Sequence, residues 1–212
     1  MKRRFLSHLL TVLMVSASGL LALPASAADE APDVLIKRLS TDMLDTIKAD
    51  KAIQAGDMSR IIALVDTKIM PNVDFQRMTA SAVGPAWRQA TSEQQKSLQA
   101  EFKTLLVRTY AGALTQVSDQ TIAVRPLRAA PEDKEVVVRT EVKGRGDAIQ
   151  LDYRLEKTPG DGAGWKIYNL NVLGVWLVET YRSQFSQEIN AKGIDGLIKT
   201  LTERNKANAK KG

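Results

Sequence analysis

The sequence contains no cysteine, and its single histidine, His8, lies near the amino terminus. A chain without cysteine has neither disulfides nor a thiol nucleophile, and one without a further histidine cannot build a histidine-based catalytic triad. The same absences exclude the cysteine- and histidine-rich sites that hold zinc or copper, so we expect no metal and no cofactor. Among the remaining groups, Asp74 and Glu179 show no diagnostic catalytic spacing, and we predict that the protein is not an enzyme.

The amino terminus has the features of a secretory signal peptide. Three basic residues at 2–4 precede an apolar stretch at 5–23, the helix-breaking Pro24 and a small-residue Ala-Ser-Ala site. We predict cleavage after Ala27, so that residues 1–27 are removed. The alternative is an uncleaved membrane anchor, because the apolar stretch nearly reaches spanning length, but the small residues within it favour cleavage. The histidine is lost with this leader.

The charge of the chain gives no support to a nucleic-acid-binding surface. The net charge is +6, but three of the thirty basic residues lie in the leader, which leaves 27 basic against 24 acidic residues, or +3. Three further lysines lie in the polar segment 205–212, which we predict to be a flexible tail. The body at 28–204 is therefore close to neutral and large enough for a single domain, and we expect no nucleic acid partner.

The first half of the mature chain has the periodicity of amphipathic helices. After Pro32, apolar residues recur every four positions and predict a helix that ends near Gly56. Asp57 can cap a second helix, which Pro71 would end. Thr91 begins a capping box and a long third helix with a wide apolar stripe.

After residue 118 the period of the apolar residues changes to two. Segments 135–143 and 149–156 alternate apolar and polar side chains, and 165–172 reads as a further strand. Segment 121–129 is a plausible edge strand, because Pro126 is tolerated at a sheet edge. Short turns between strands predict an antiparallel four-stranded sheet with one apolar face. Helices before and after the sheet must cover that face, so the predicted fold class is α+β.

An uncharged ribbon, Val172 to Val178, follows the last predicted strand. Gly174 marks a bend or a close backbone approach. The apolar residues after it are continuous rather than alternating, so both faces of this piece must be shielded by core, by a partner or by a ligand. From periodicity alone, ordinary core packing under the helices is the simpler interpretation.

Two separated segments resemble one known family. PNVDFQRMTASAVGPAWRQATSEQQKSLQAEFKTLLVRTYAGAL, at 71–114, resembles a conserved pattern of the periplasmic phospholipid-binding shuttles of the Mla (maintenance of lipid asymmetry) pathway, also known as the toluene-tolerance family. GVWLVETYRSQF followed by KGIDGLIKTL, at 174–201, is similar to the carboxyl-terminal signature of that family. Trp176 departs from the family pattern, which commonly has serine there, and Thr180 stands where asparagine is common. A bulky Trp176 would narrow or reshape the family's cavity, which bears on the size of the ligand rather than on the fold.

The resemblance implies a soluble periplasmic carrier. Its sheet and its amino- and carboxyl-terminal helices would enclose an apolar cavity for phospholipid acyl chains, and the carrier would shuttle lipid between the inner and outer membranes as a monomer. The implied partners are the lipid-binding subunit of an inner-membrane ABC transporter and an outer-membrane lipoprotein assembly, with only transient membrane contact through them. The competing interpretation is a periplasmic protein-interaction module or chaperone without stably bound lipid.

The candidate lipid-binding residues are apolar side chains expected to face this cavity. They are Phe75, Met78, Leu105, Leu106, Tyr110, Val138, Leu151, Tyr153, Ile167, Val175, Trp176, Leu177 and Val178. We expect about half of them to touch lipid and the others to pack ordinary core. Arg88 and Arg182 are candidates for the headgroup rim, because guanidinium groups bind phosphate well, although each could instead form a surface ion pair.

Overall fold

The computed structural model describes residues 30–130 and 132–209, so the predicted signal peptide and the last three residues lie outside the described part. The helices are α1 (Pro32–Ala49), α2 (Lys51–Gln54), α3 (Met58–Leu64), α4 (Phe75–Val83), α5 (Ser92–Leu114) and α6 (Leu177–Ala209). The strands are β1 (Thr121–Val124), β2 (Glu135–Lys143), β3 (Ile149–Lys157), β4 (Trp165–Val172) and β5 (Val175–Trp176). Within the described ranges, no helix combines the length and the apolar character needed to cross a bilayer.

The sheet is antiparallel, with each strand paired to the next in the order β1-β2-β3-β4-β5. This arrangement, flanked by helices, confirms the α+β prediction, but the sheet has five strands rather than four. The fifth arises because the apolar ribbon does not continue β4. Leu173 and Gly174 have positive φ values of 53° and 86°, and this tight turn brings Val175 back against Val172.

The inner face of the sheet follows the predicted alternation. Val138 of β2 pairs with Tyr153 of β3, and the pairs two positions away, Val136–Leu155 and Thr140–Leu151, point to the same side. The register then shifts between Arg154 and Leu155, which leaves one extra residue on β4. Because of this bulge, apolar side chains on both halves of β4 remain on the inner face.

The core divides into three apolar clusters. The first lies between α1 and the sheet and contains Leu35, Ile36, Val136, Val138, Leu155, Trp165 and Ile167. The second lies among α4, α5 and α6 and is centred on Phe102, whose ring meets those of Tyr181 and Phe185 edge-on at centroid distances of 5.0 and 5.2 Å. The third joins the end of α1 to α2, α3 and α5. α1 therefore packs on apolar residues of β2, β3 and β4, whereas α4, α5 and α6 pack largely on one another.

Side-chain caps set the boundaries of the early helices. α1 ends at Ala49 rather than near Gly56, because the Asp50 carboxylate accepts hydrogen bonds from the backbone N–H groups of Ala52 and Ile53 and begins α2. The predicted cap at Asp57 is confirmed. The capping box that begins α5 is also confirmed, with both of its hydrogen bonds present.

The last helix is broken at Gly193, where φ is 70° and ψ is −174°. Its two halves fold back on one another, and the Thr200 hydroxyl of the second half donates to Glu188 of the first at 2.9 Å. The second half continues beyond the predicted domain boundary at residue 204. Asn205 is buried there and donates to the backbone carbonyl of Glu101 at 2.9 Å, so residues 205–209 form part of this helix.

A pair of glycine substitutions tests whether backbone conformation determines this break. We expect Gly193→Ala to lower the free energy of unfolding by about 1–3 kcal/mol, because its φ and ψ are accessible almost only to glycine. An added Cβ meets nothing within 4 Å at either Gly193 or the α5 residue Gly112. Gly112→Ala should therefore stabilise the protein by about 0.5–1 kcal/mol, as expected inside a helix. Urea unfolding measures both, and two changes of the same sign would contradict the interpretation.

Candidate lipid-binding site

Six of the predicted lipid-binding residues are buried within the apolar clusters. Met78, Leu105, Leu177 and Val178 belong to the cluster of α4, α5 and α6, and Val138 and Ile167 to the cluster under α1. Their surfaces are largely covered by neighbouring side chains. In this structure these six side chains pack in the apolar core.

A second set of predicted residues is apolar but only half-buried. Leu106 and Tyr110 lie one turn apart on α5, and Leu151 and Tyr153 lie two positions apart on the inner face of β3. Phe75 is likewise half-buried and contacts the Phe102 ring at 5.7 Å between centroids. These side chains lie at the edges of the clusters rather than inside them.

Tyr153 is the most informative member of this set. Protein surrounds it, and burial raises the pKa of its phenol, although hydrogen bonding to Ser40 and Thr140 opposes the rise. Part of the Tyr153 surface nevertheless remains accessible. A side chain that is enclosed by protein and still accessible is expected to line an internal space.

The apolar ribbon divides between the two faces of the sheet. Val175 pairs with Val172 and lies on the inner-face side, where it remains 52% exposed. Trp176 pairs with Asn171 and lies on the opposite face, with the guanidinium carbon of Arg154 3.9 Å from its ring centroid. Its ring therefore points away from the inner face of the sheet. The described chain leaves Val175 about half exposed, so of the three kinds of shielding that the sequence pattern allows, core packing does not cover it.

Buried asparagines on β4 hold the ribbon in place. The Asn169 side chain accepts a hydrogen bond from the Val178 N–H at 3.1 Å and donates to Glu179 at 2.8 Å. The Asn171 side chain accepts one from the Gly174 N–H at 2.8 Å. The sequence pattern predicts only a plain strand at these positions. The signal in the sequence was the pair of asparagines at alternating positions. An exposed strand face does not require amide side chains, so two of them on one face indicate specific hydrogen bonds.

The carboxylate of Glu179 belongs to the same network. Arg154 donates to it from the neighbouring strand. Burial raises the pKa of Glu179, but hydrogen bonds from Asn169 and Arg154 outweigh this effect and hold the pKa below its ordinary value of 4.5. The other carboxylate considered for catalysis, Asp74, caps α4 by accepting from the Arg77 N–H at 2.8 Å. Both carboxylates thus have structural partners.

The two rim candidates lie in different settings. Arg182 is exposed on α6, and its Nε donates to the backbone carbonyl of Ser81 at 2.9 Å, which links α6 to α4. Arg88 is exposed at the end of the short 3₁₀ helix Gly84–Arg88. Neither forms an ion pair among the described residues. Within residues 30–130 and 132–209, no group of three or more His, Cys, Asp or Glu side chains is arranged to hold a metal ion.

Removal of the Asn169 amide should weaken the junction between β4 and α6. Asn169→Ala leaves the buried Val178 N–H without an acceptor, so we expect the free energy of unfolding to fall by about 1–3 kcal/mol. Asn190→Ala, at an exposed position of α6, is the matched control and should change it by less than about 0.5 kcal/mol. Equal effects in urea unfolding would show that the network contributes no stability.

The Glu179 network should also make stability depend on pH. Because the pKa of Glu179 is lower in the folded state, its ionised form stabilises the fold above the unfolded-state pKa, and this contribution is lost as the pH falls through the folded-state pKa. Glu179→Gln should therefore be less stable than the wild type at pH 7, and the difference should shrink below about pH 4. Urea midpoints measured between pH 7 and pH 3 test this, and a constant difference would contradict it.

Known proteins are similar to this chain in sequence. The family model of the MlaC protein matches residues 37–203. Toluene tolerance protein ttg2D of Pseudomonas putida is 28% identical over 197 residues, which cover 90% of this chain and 89% of that protein. The intermembrane phospholipid transport system binding protein MlaC of Haemophilus influenzae is 22% identical over 194 residues, which cover 91% of each chain.

A solved structure is also similar to this fold. The phospholipid-binding protein from Ralstonia solanacearum, in complex with a phospholipid, is 47% identical with a TM-score of 0.80. The similarity covers 84% of this chain and 98% of that one. These matches confirm the resemblance noted in the two sequence segments. This chain belongs to the MlaC family.

Proposed function

We propose that this protein binds a phospholipid by its acyl chains and carries it through the periplasm between the inner and outer membranes. The observation that carries the proposal is the solved relative from Ralstonia solanacearum, which contains a phospholipid and is 47% identical to this chain. The name of the Haemophilus influenzae relative, a binding protein of intermembrane phospholipid transport, supports the transport role.

The acyl chains would occupy the space between α5 and the inner face of the sheet. Leu106 and Tyr110 approach it from α5, and Leu151, Tyr153 and Val172 approach it from the strands. All five are half-buried. Acyl chains would remove their remaining apolar surface from water, which is favourable in proportion to the area covered.

The exposed end of the ribbon fits the mouth of this space. Val175 lies beside Val172 on the inner-face side and is 52% exposed. A lipid leaving or entering past this edge would cover Val175, which the chain itself does not. Arg88 and Arg182 remain our candidates for the headgroup rim.

The energetics of a carrier require an apolar lining without free charge. Each buried methylene contributes about 0.8 kcal/mol against water, so a bare diacyl lipid cannot cross an aqueous gap at a useful rate. Transfer from a bilayer into an apolar protein space is close to neutral, which keeps loading and unloading reversible. The ion pairs Arg125–Glu141 and Arg154–Glu179 use side chains on the outer face of the sheet, so they do not intrude on the inner face.

The proposed periplasmic location and the proposed partners rest on the predicted signal peptide and on membership of the MlaC family. Cleavage after Ala27 would release a monomeric carrier into the periplasm. It would receive or deliver lipid at the lipid-binding subunit of an inner-membrane ABC transporter and at an outer-membrane lipoprotein assembly. Carriage of this kind makes and breaks no covalent bond, so the protein needs no catalytic residue.

Mass spectrometry of protein extracted gently from the periplasm tests the proposal. We expect a chain that begins at Ala28 and carries phospholipid in a stable adduct, which organic extraction releases for identification. Leu106→Trp should lower the lipid content, because the larger ring fills the space beside β3. Ala100→Trp, at an exposed position of α5, is the control and should retain the wild-type content. A folded, lipid-free wild type would overturn the carrier function and favour the protein-interaction alternative.

A further inference from the structure

The segment that leads into α4 joins the helices to the sheet. Val73 forms a parallel bridge with Ile167 of β4, and the Asp74 N–H donates to the Ile167 carbonyl at 2.9 Å. The Val73 side chain packs both against the cluster under α1 and against the cluster around Phe102. A change in the contacts of this segment would therefore alter how the helices are held on the sheet.

Three carboxylates surround one arginine at this junction. The Arg77 guanidinium of α4 donates to Glu156 of β3 and to Glu135 of β2, and the Arg77 backbone N–H donates to Asp74 at 2.8 Å. The Asp74 and Glu156 carboxyl groups also lie within hydrogen-bonding reach of each other. Two carboxylates in contact cannot both ionise without a large electrostatic cost, so such a pair tends to keep one proton.

Other cations near the junction have partners of their own. Lys166 of β4 lies opposite Glu156 in the strand register, but its ammonium group pairs with Asp161 at 3.3 Å. Arg154, two positions before Glu156 on β3, pairs with Glu179 of α6. The three carboxylates therefore share a single guanidinium, and the junction carries more negative than positive charge.

The surroundings of the two glutamates that Arg77 binds are different. The Glu135 side chain is 52% exposed, and hydrogen bonds from Arg77 and from the Tyr168 phenol hold its pKa below the ordinary value of 4.5. The Glu156 side chain is 22% exposed, and its Oε1 is buried and accepts from no donor among the described residues. Burial raises the pKa of Glu156 and the neighbouring Asp74 adds to the rise, although Arg77 opposes it. Glu156 is therefore the glutamate that takes up a proton first as the pH falls.

We propose that Asp74 and Glu156 share one proton, and that loss of this proton loosens the junction between α4 and the sheet. The shared proton makes the contact between the two carboxyl groups a hydrogen bond, whereas two ionised groups repel each other. A looser junction would let the helices and the sheet move apart and open the acyl-chain space between them. Lipid release should therefore become faster as the pH rises. The effect on release rests on the proposed carrier function, but the shared proton does not.

A titration of the carboxyl ¹³C signals of the mature, lipid-loaded protein by NMR tests the shared proton. The signal of Glu156 is the one that Glu156→Gln removes, and we expect its pKa to lie above 4.5. Asp74→Asn should lower this pKa, because asparagine has no charge and its amide can donate to Glu156. Asparagine caps a helix as well as aspartate does, so α4 should be retained. Glu203→Gln, at an exposed position of α6, is the control and should leave the Glu156 titration unchanged.

Two results of this titration would overturn the proposal. One is a Glu156 signal that titrates at or below 4.5, and the other is the same Glu156 titration in the wild type and in Asp74→Asn. Stability provides an independent measurement. Because the pKa of Glu156 is raised in the folded state, its protonated form stabilises the fold below the unfolded-state pKa, and this contribution is lost as the pH rises through the folded-state pKa. The urea midpoint of the wild type should therefore fall relative to that of Glu156→Gln as the pH rises, and a constant difference would contradict the shared proton.

Transfer of a fluorescent phosphatidylglycerol from the loaded protein to phosphatidylcholine vesicles tests the effect on release. We expect the wild-type rate to rise at least about threefold between about pH 5 and about pH 8. Glu156→Gln should remain slow throughout, because its amide donates to Asp74 at every pH, and Glu203→Gln should follow the wild type. A wild-type rate that does not change with pH, or a Glu156→Gln rate that rises as the wild-type rate does, would overturn the proposal. A lipid-free wild type would overturn the carrier function and the effect on release, and the Glu156 titration would still decide the shared proton.

Discussion

The buried side chain of Asn169 is the contact on which the arrangement of sheet and last helix depends. Its carbonyl oxygen accepts the N–H of Val178 at the beginning of α6, and its amide nitrogen donates to Glu179. One polar residue inside the fold therefore fixes where the chain leaves the sheet and in which direction α6 starts. The buried residues that follow, Val178 and Tyr181, can then join the cluster around Phe102. Without that anchor, the two-residue β5 would be too short to hold the helix by backbone pairing alone.

A protein that holds an apolar passenger must resist its own tendency to collapse. The three clusters hold the helices in place around the sheet. α1 is fixed by one cluster, and α5 and α6 by another, so the half-buried side chains between them cannot all close on each other.

Local signals in the sequence predicted the fold well where one residue decides the structure. The capping box at Thr91 and the N-cap at Asp57 each satisfy free backbone N–H groups within four residues. The alternation of apolar and polar residues in β2 and β3 arises because one face of the sheet is exposed to solvent and the other is covered. The fifth strand was missed because its turn places Leu173 at positive φ. Gly174 indicates a bend, but no residue of the local sequence indicates that the preceding leucine takes part in a tight turn.

The candidate site was less predictable than the fold. Apolar identity alone does not distinguish a side chain in a cluster, such as Leu105, from one at its edge, such as Leu106. That difference depends on what lies across from each residue, and so on tertiary packing. The orientation of Trp176 likewise depended on a chain reversal that sequence periodicity does not contain.

The order of the strands bears on how the protein acquires its shape. Each strand pairs with its neighbour in sequence, so the sheet can assemble as successive hairpins, with short loops to close. α1 is different, because it comes first in the chain yet packs on β1 and β2, which are made much later. A chain that has completed its sheet but not docked α1 would present an uncovered apolar face to water. Docking of this helix is thus a non-local step of folding, and any intermediate that forms the sheet before it would expose apolar surface on which chains aggregate.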